Sequence, residues 1–230
     1  MLALTLGTPI AEILSGLLAF LIGGVPFGWL FARWRKGVDL RKVGSGNVGA
    51  TNAARLWKGR KAVIAFVVVF VFDAAKGFVA AFYSPEFGSW LHGTDSSETM
   101  AVLCGSCAIL GHVFTPYLGF KGGKGFATAL GVVAALATWP AIYAVGLWGV
   151  VVLLTRYSSL GSLVAMISIP VSYGLTYGAS TWSKNYFGVF AFLSVCAVVV
   201  IWRHRDNLRR LLAGRERKLG SPTIAADDAR

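Results

Sequence analysis

The chain has 230 residues, of which 56% are apolar and 14% charged, with a mean hydropathy of +0.65. A soluble domain carries about 25% charged residues, so this composition excludes an ordinary soluble protein and indicates a polytopic membrane protein. The net charge of +12 would suit a nucleic-acid partner, but the basic residues collect in a few short loops between apolar runs. That distribution is typical of membrane proteins, and we expect no nucleic acid as a partner.

Seven apolar runs are predicted to cross the membrane, because a spanning helix needs roughly 20 apolar residues. The fourth and fifth are short and divided near Pro140, so they are interpreted as a hairpin of short helices or as partly re-entrant. The fold class is therefore an all-α membrane helix bundle, with one domain over residues 1–220 and a disordered polar tail over 221–230. The predicted spans are residues 10–32, 62–83, 100–117, 125–138, 140–155, 160–178 and 186–202.

Basic residues indicate how the bundle is oriented. With seven spans, the basic loops at 33–61 and 121–124, Arg156 and the segment 203–218 all fall on one side. The loop at 84–99 carries acidic residues but no Lys or Arg, and it falls on the other side. Since basic loops stay in the cytoplasm, the sequence predicts a cytoplasmic C-terminus and an external N-terminus.

Cysteine and histidine spacing indicates neither a redox motif nor a metal site. Cys104 and Cys107 have C-x-x-C spacing, but they lie inside an apolar run without a βαβ pattern and are predicted to pack as small residues. His92, His112 and His204 lie far apart and lack ligand spacing. We therefore expect no metal and no cofactor.

The first segment with candidate chemistry is the polar loop, residues 44–55. Its side chains are mostly small, neutral and hydrogen-bonding, and glycines are interleaved with them. Hydroxyls and amides can hold a polyol or phosphate oxygens, and an arginine offers a bidentate fork for phosphate. A turn followed by a helix N-cap is the alternative, since Ser, Asn and Thr are preferred there. The candidate substrate-binding residues are Ser45, Asn47, Thr51, Asn52 and Arg55.

The second segment is the glycine turn, residues 121–125, in which two lysines alternate with three glycines. Glycine lets the backbone approach a ligand, consecutive N–H groups can form an anion-binding concavity, and the helix predicted to follow adds a partial positive charge. It is not a Walker motif, because Leu118 stands where the first glycine is required. The alternative is an ordinary basic membrane loop. The candidate substrate-binding residues are Lys121, Gly122, Gly123, Lys124, Gly125 and Thr128.

Two histidines are candidate catalytic residues. His112 stands at the inner end of the third predicted helix, close to the glycine turn, and is a candidate base or oxygen-binding donor. His204 and Asn207 lie in the basic segment, residues 203–216, and share one face at i, i+3 if the last helix continues. The alternatives are a hydrogen-bonded structural histidine for His112 and binding of anionic lipid heads for the basic segment.

One charged pair is predicted inside a span. Asp73 and Lys76 are at i, i+3 in the second predicted helix and are too costly to face lipid. We expect them to pair within the bundle, with a structural role favoured over a catalytic one.

Three motifs in this sequence resemble, in the same order, the three conserved loops of the bacterial integral-membrane acyl-phosphate:glycerol-3-phosphate acyltransferases, the PlsY family. The resemblance covers the whole chain, including Asp73 and Lys76. The motifs are SGNVGATNAAR at 45–55, GHVFTPYLGFKGGKGFAT at 111–128 and RHRDNLRRLLAGRE at 203–216.

This resemblance implies a seven-helix enzyme of the bacterial inner membrane that catalyses the first acylation of phospholipid synthesis. It would move a fatty acyl group from acyl phosphate to the sn-1 hydroxyl of glycerol 3-phosphate, giving lysophosphatidate and phosphate. The glycine turn would hold the phosphate of acyl phosphate, and the bilayer and the enzyme that makes acyl phosphate, in transient contact, would be partners. The residues implied to line the site are Ser45, Arg55, His112, Lys121 or Lys124, His204 and Asn207.

Acyl phosphate is an activated mixed anhydride, so the protein needs mainly to position the reactants and stabilise charge. We expect direct attack without an acyl-enzyme, with the hydroxyl proton taken by substrate phosphate, His112 or His204. Two other functions compete. An acyltransferase using acyl-CoA or acyl carrier protein is disfavoured because no His-x4-Asp pair is present, and a transporter or channel for phosphate esters is disfavoured because no repeat is evident.

Overall fold

The computed structural model describes residues 8–92 and 98–221, so the predicted tail beyond residue 221 lies outside the described residues. Within these ranges there are ten α-helices, three short 3-10 helices and no β-strand, which confirms the all-α class. The α-helices are α1 (Thr8–Gly24), α2 (Phe27–Lys36), α3 (Ala50–Ala54), α4 (Gly59–His92), α5 (Glu98–Val113), α6 (Phe126–Leu136), α7 (Thr138–Thr155), α8 (Ser158–Tyr177), α9 (Lys184–Arg203) and α10 (Arg205–Leu212). The 3-10 helices are Leu40–Lys42, Pro116–Leu118 and Gly178–Trp182.

All seven predicted apolar runs are helical, but they differ in length. Among the described residues, six segments are long and apolar enough to cross a membrane. The seventh is α6, whose 11 residues rise only about 16 Å against a hydrocarbon core of about 30 Å. Which end of the bundle faces the cytoplasm stays a prediction. The six long segments are Pro9–Lys36, Gly59–Trp90, Glu98–Leu118, Thr138–Thr155, Ser158–Trp182 and Tyr186–Arg203.

The first predicted helix is broken in two at Val25 and Pro26. The residue before a proline disfavours the helical conformation, so the helix ends there and the last carbonyls of α1 lose their helical donors. Two side chains replace these donors: Thr115 Oγ1 donates to the Gly24 carbonyl at 2.6 Å, and Lys76 Nζ donates to the Val25 carbonyl at 2.6 Å. The break is therefore held open by side chains from α4 and from the loop after α5.

The middle of the bundle divides close to the predicted point. Helices α6 and α7 are separated at Ala137, and Pro140 lies in the first turn of α7, where proline is tolerated. The expectation that the fifth span is short is wrong, because α7 has 18 residues and is long enough to cross a membrane. Only α6 is short.

Glycines allow the central helices to approach closely. A Cβ at Gly77 of α4 would overlap the Thr128 carbonyl oxygen of α6, and one at Gly131 of α6 would overlap the Ala74 carbonyl of α4. This small-residue packing is common in membrane bundles. These close contacts hold the first half of α6 against α4.

Candidate active site

A single cavity at one end of the bundle is lined by all three segments that carried the sequence motifs. The polar loop, the glycine turn and the basic segment are separated by tens of residues, and the fold brings them together around it. The lining residues from these segments and from α5 are Gly44, Ser45, Asn47, Gly49, Ala50, Thr51, Asn52, Arg55, His112, Lys124, Gly125, Phe126, Ala127, His204, Asn207, Arg210 and Glu216.

Within the polar loop, Asn52 organises the backbone. Its amide nitrogen donates to the carbonyls of Leu40, Val43 and Asn47 at 3.2, 3.1 and 2.9 Å, and its oxygen accepts from Ser45 N at 3.0 Å. These contacts use both ends of the amide, and Asn52 is buried. Asn52 lines the cavity and also folds the loop that presents the other candidates, and its binding of substrate stays a prediction.

The other candidates of the polar loop also line the cavity. Ser45 lines it, and Asn47 Oδ1 accepts from Gly49 N at 3.4 Å. Thr51 Oγ1 lies 3.2 Å from Ser158 Oγ, which links the short helix α3 to the start of α8. Ser45, Thr51 and Arg55 therefore line the same cavity.

Two amides of the glycine turn are already used within the fold. Gly122 N donates to the Val113 carbonyl at 3.1 Å, and Gly123 N donates to the His112 carbonyl at 3.0 Å. Amides that already donate to carbonyls are not available for phosphate, so these two do not contribute to the predicted anion-binding concavity. The turn is instead packed against the end of α5, and a Cβ at Gly123 would overlap His112 Nε2.

Four residues predicted to bind substrate do not line the cavity. Gly122, Gly123 and Lys121 are not among its lining residues, and Lys121 is exposed. Thr128 is fully buried at the contact with Gly77 and also does not line the cavity. Of the two lysines that the sequence left as alternatives, Lys124 lines the cavity.

The N-terminus of α6 is the anion-binding feature that the geometry supports. Gly125 caps it with a left-handed backbone (φ 88°), and Phe126 and Ala127 of its first turn line the cavity. First-turn amides have no acceptor within their own helix, and the helix dipole places a partial positive charge there. An anionic group is therefore favoured beside Lys124.

A hydrogen-bonded network joins Lys124 to the basic segment. Lys124 Nζ donates to Asn207 Oδ1, and Asn207 Nδ2 donates to Glu216 Oε1 at 2.6 Å. The same carboxylate accepts from Ser159 Oγ at 2.8 Å and from Arg210 Nε at 2.7 Å. Glu216 thereby fixes which way the Asn207 amide points, with its oxygen towards Lys124.

Burial and neighbouring charge set the protonation of this network. Burial, followed by repulsion from Arg210, lowers the pKa of Lys124 to about 8. Burial, followed by the charge of Lys124, lowers the pKa of His204 to about 4. Burial alone would raise the pKa of Glu216, but hydrogen bonds from Asn207, Arg210 and Ser159 hold it below its usual value. At neutral pH the site therefore holds a charged lysine, a charged glutamate and a neutral His204.

His204 ends α9 and has a defined tautomer. The condition for a shared i, i+3 face, a continuous last helix, is not met, because His204 separates α9 from α10. His204 and Asn207 nevertheless both line the cavity. Nδ1 of His204 lies 2.8 Å from the Val200 carbonyl, which can only accept, so Nδ1 carries the proton and Nε2 is the acceptor.

The predicted Asp73–Lys76 pair forms inside the bundle, with Nζ 2.7 Å from Oδ1 and both side chains 3% exposed. Asp73 also lines the cavity, which the sequence did not predict. Its Oδ1 lies 3.8 Å from His112 Nδ1. His112 is therefore placed between the carboxylate of Asp73 and Gly123.

An aromatic wall, formed by Phe66, Phe70, Phe126 and Trp148, closes the apolar part of the cavity. Phe66 and Phe70 stack on the Trp148 ring, with centroids 5.6 and 5.7 Å away. Sequence reasoning missed this wall, although Phe66, Phe70 and Asp73 are spaced at i, i+4, i+7 and so share a face of α4.

Serines at the beginning of α8 were also missed. Ser158, Ser159 and Ser162 line the cavity, and Ser159 anchors Glu216. The signal was the short polar turn around Arg156 between two apolar runs.

Together the bundle and the cavity define a class of protein: a polytopic membrane protein whose site combines several cations with an apolar wall. Such a site fits a reactant that is anionic at one end and lipid-like at the other. Comparison with known proteins agrees. The family model described as "Glycerol-3-phosphate acyltransferase" matches residues 13–214, and the chain belongs to this family.

Relatives and solved structures are similar over nearly the whole chain. The glycerol-3-phosphate acyltransferase of Synechococcus sp. (strain CC9902) is 40% identical over 205 residues, covering 88% of this chain and 92% of the relative. That of Aromatoleum aromaticum is also 40% identical, covering 89% and 95%. The glycerol 3-phosphate form of PlsY (YgiH), an integral membrane glycerol 3-phosphate acyltransferase, superposes with a TM-score of 0.76 at 37% identity, covering 91% of this chain and 96% of that chain. The lysophosphatidic acid form gives a TM-score of 0.73 at 35% identity, covering 90% and 94%.

Proposed function

We propose that this glycerol-3-phosphate acyltransferase uses acyl phosphate as its donor and transfers the acyl group directly to the sn-1 hydroxyl. The products are 1-acylglycerol 3-phosphate and inorganic phosphate, the first acylation of phospholipid synthesis. The observation that carries the proposal is the convergence of Arg55, Lys124 and Asn207, from three separate segments, on one cavity.

The charge around the cavity supports two phosphorylated reactants. Arg55, Lys124, Arg210 and Arg217 line it, whereas the acidic lining residues are Asp73, which is paired with Lys76, and Glu216, which is bonded to Arg210. The excess of positive charge favours the binding of phosphate dianions. The aromatic wall supplies an apolar surface on which the donor's alkyl chain can lie next to its charged end.

The hydrogen bonds of the serines support direct transfer. Among the described residues, no cavity serine or threonine is hydrogen-bonded to His112 or His204. Ser158 contacts Thr51, Ser159 donates to Glu216, and Ser162 donates to the Ser158 carbonyl at 2.9 Å. A serine nucleophile needs an adjacent base. We therefore propose that the hydroxyl oxygen of glycerol 3-phosphate attacks the acyl carbon itself.

In this reaction the new C–O bond forms at the acyl carbon, and the bond from that carbon to the phosphate oxygen breaks. Phosphate leaves with the electron pair, aided by Lys124 and the N-terminus of α6. The hydroxyl proton passes to a substrate phosphate. With a pKa of about 4, His204 is a weaker base than a phosphate monoester, whose second pKa is about 6. We assign His204 to accepting a hydrogen bond from the hydroxyl through Nε2.

The cavity is proposed to open towards the cytoplasm of the bacterial inner membrane. Basic residues concentrate in the same loops that line it, as the positive-inside rule requires of cytoplasmic loops. Glycerol 3-phosphate then enters from water and acyl phosphate from the bilayer. A transient contact with the enzyme that makes acyl phosphate would deliver the donor at the same face.

The proposed donor is tested with purified protein and three donors of equal chain length: acyl phosphate, acyl-CoA and acyl carrier protein thioester. We expect lysophosphatidate from acyl phosphate alone, in step with phosphate release. Formation from a thioester in the absence of acyl phosphate would contradict the proposed donor. Uptake of glycerol 3-phosphate into proteoliposomes without product would favour a transporter instead.

Direct transfer has its own test. Intact-mass measurement after mixing the protein with acyl phosphate, without glycerol 3-phosphate, should show the unmodified mass. An acyl adduct that is discharged by adding glycerol 3-phosphate would overturn direct attack.

A further inference from the structure

The chain after α10 folds back across the beginning of α8 as a strap, residues 214–221. Leu219 N donates to the Arg156 carbonyl at 2.6 Å, and Arg156 Nη2 donates to the Leu219 carbonyl at 3.3 Å. Leu219 also packs against the apolar cluster that contains Leu40 and Ala53. At the other end, Glu216 bonds Ser159, Asn207 and Arg210, so the strap is held at both ends.

Arg217 lies between these two anchors and lines the cavity. It is exposed, so its guanidinium is at the water-facing rim rather than at the buried end. It is also close to Arg55: burial lowers the pKa of Arg55, and repulsion from Arg217 is the next cause. Two guanidinium groups held beside one cavity attract a doubly charged anion between them.

We propose that Arg217 is a specificity-determining residue that captures the phosphate of glycerol 3-phosphate at the rim of the cavity, with the strap holding it in place. This inference rests on the proposed use of one cavity for both reactants. It assigns a residue that lies outside all three sequence motifs.

The position of Arg217 decides which reactant it recognises. Glycerol 3-phosphate is soluble and arrives from water, where an exposed arginine meets it first. The donor carries an alkyl chain, which packs against the apolar surface of the aromatic wall. Lys124 is half-buried and Phe126 at the N-terminus of α6 is buried, so this end of the cavity suits the phosphate that leaves. Arg217 therefore acts on capture of the acceptor rather than on the chemical step.

The test is a kinetic comparison of Arg217→Ala with wild type, varying glycerol 3-phosphate at saturating acyl phosphate and then the reverse. We expect KM for glycerol 3-phosphate to rise about tenfold, the effect of losing one charge-assisted hydrogen bond, with kcat within about twofold and the donor KM unchanged. Arg217→Lys keeps the charge but loses the fork, so its KM should lie between those of wild type and Arg217→Ala. The salt dependence of kcat/KM should become shallower in Arg217→Ala.

Arg215→Ala is the matched control, because Arg215 is exposed, lies on the same strap and does not line the cavity. Its kinetic constants should match wild type. An unchanged KM for glycerol 3-phosphate in Arg217→Ala would overturn the inference, as would a rise confined to the donor KM or a loss confined to kcat. A wild type that makes no product from acyl phosphate would instead refute the proposed function. Thermal unfolding of each variant in detergent shows whether a changed KM reflects weaker capture of glycerol 3-phosphate or misfolding. If Arg217→Ala does not fold, the same comparison is made with Arg217→Lys.

Discussion

The amine of Lys124 donates a hydrogen bond to the side-chain oxygen of Asn207, although the two residues are 83 positions apart in the chain. This contact joins the glycine turn to the basic segment at the cavity. Because Asn207 is held in turn by Glu216, the lysine is directed by a network rather than by its own flexible stem. The half-buried amine of Lys124 then provides a fixed positive charge for a phosphate.

The lowered pKa of Lys124 predicts an alkaline limit to activity. The ammonium form binds phosphate, and its pKa of about 8 means that this form is lost as pH rises through 8. We expect kcat/KM to be highest below pH 8 and to fall about tenfold per pH unit above it. Steady-state kinetics across pH 6–10 measure this alkaline fall in kcat/KM.

Lys124→Arg tests whether deprotonation of Lys124 causes the alkaline fall in kcat/KM. A guanidinium keeps its charge throughout this range, so the alkaline fall should disappear from the profile even if the overall rate is lower. A fall near pH 8 that persists in Lys124→Arg would show that another group titrates there.

Gly123 is predicted to be required because of His112. A Cβ at position 123 would overlap His112 Nε2, whereas one at Gly149 of α7 would meet nothing within 4 Å. We expect Gly123→Ala to lower kcat/KM at least about tenfold by displacing the imidazole or the turn, while Gly149→Ala stays within about twofold. Equal activities for the two variants would show that the contact with His112 has no functional role.

The Asp73–Lys76 pair is predicted to stabilise the bundle. Lys76→Met leaves the buried carboxylate of Asp73 without its counter-charge and the Val25 carbonyl without its side-chain donor. We expect a loss of about 3–5 kcal/mol in the free energy of unfolding, seen as a lower unfolding temperature in detergent. The double variant Asp73→Asn, Lys76→Met should regain part of the lost free energy of unfolding, because it no longer buries an unpaired carboxylate.

Lys184→Met, which removes an exposed lysine at the beginning of α9, controls for the loss of positive charge. It should leave the unfolding temperature unchanged. If Lys76→Met unfolds at the wild-type temperature, the pair does not stabilise the break between α1 and α2.

The aromatic wall is predicted to bind the donor. Trp148 of α7 lines the cavity between Phe66 and Phe70, whereas Trp139 of the same helix is 62% exposed. We expect Trp148→Ala to raise the donor KM about tenfold or more through lost apolar contact, with KM for glycerol 3-phosphate little changed. Trp139→Ala should resemble wild type. A larger effect of Trp148→Ala on the acceptor KM would place the alkyl chain elsewhere.

Much of the fold was predictable because it depends on local composition. Apolar runs predicted all seven helical segments, and Asp73 and Lys76 were expected to pair because neither can face lipid. The break at Pro26 was also signalled by the run Gly23-Gly24-Val25-Pro26, but apolarity alone extended the first predicted helix across it.

The site was predictable only in part, because residue types do not show what each backbone group contacts. The sequence predicted that three segments meet at one site, and Ser45, Lys124 and Asn207 from these segments line one cavity. It did not reveal that the amides of Gly122 and Gly123 donate to carbonyls of α5, since that contact depends on tertiary packing.

The most direct test of the account compares Lys124→Ala with Lys121→Ala in glycerol 3-phosphate-dependent release of phosphate from acyl phosphate. The two lysines are three positions apart in the same turn, but only Lys124 lines the cavity. The account predicts that Lys124→Ala lowers kcat/KM about 100-fold, by removing a buried charge from a phosphate, while Lys121→Ala stays within about twofold of wild type. Wild-type rates for Lys124→Ala, or equal losses for the two variants, would contradict it.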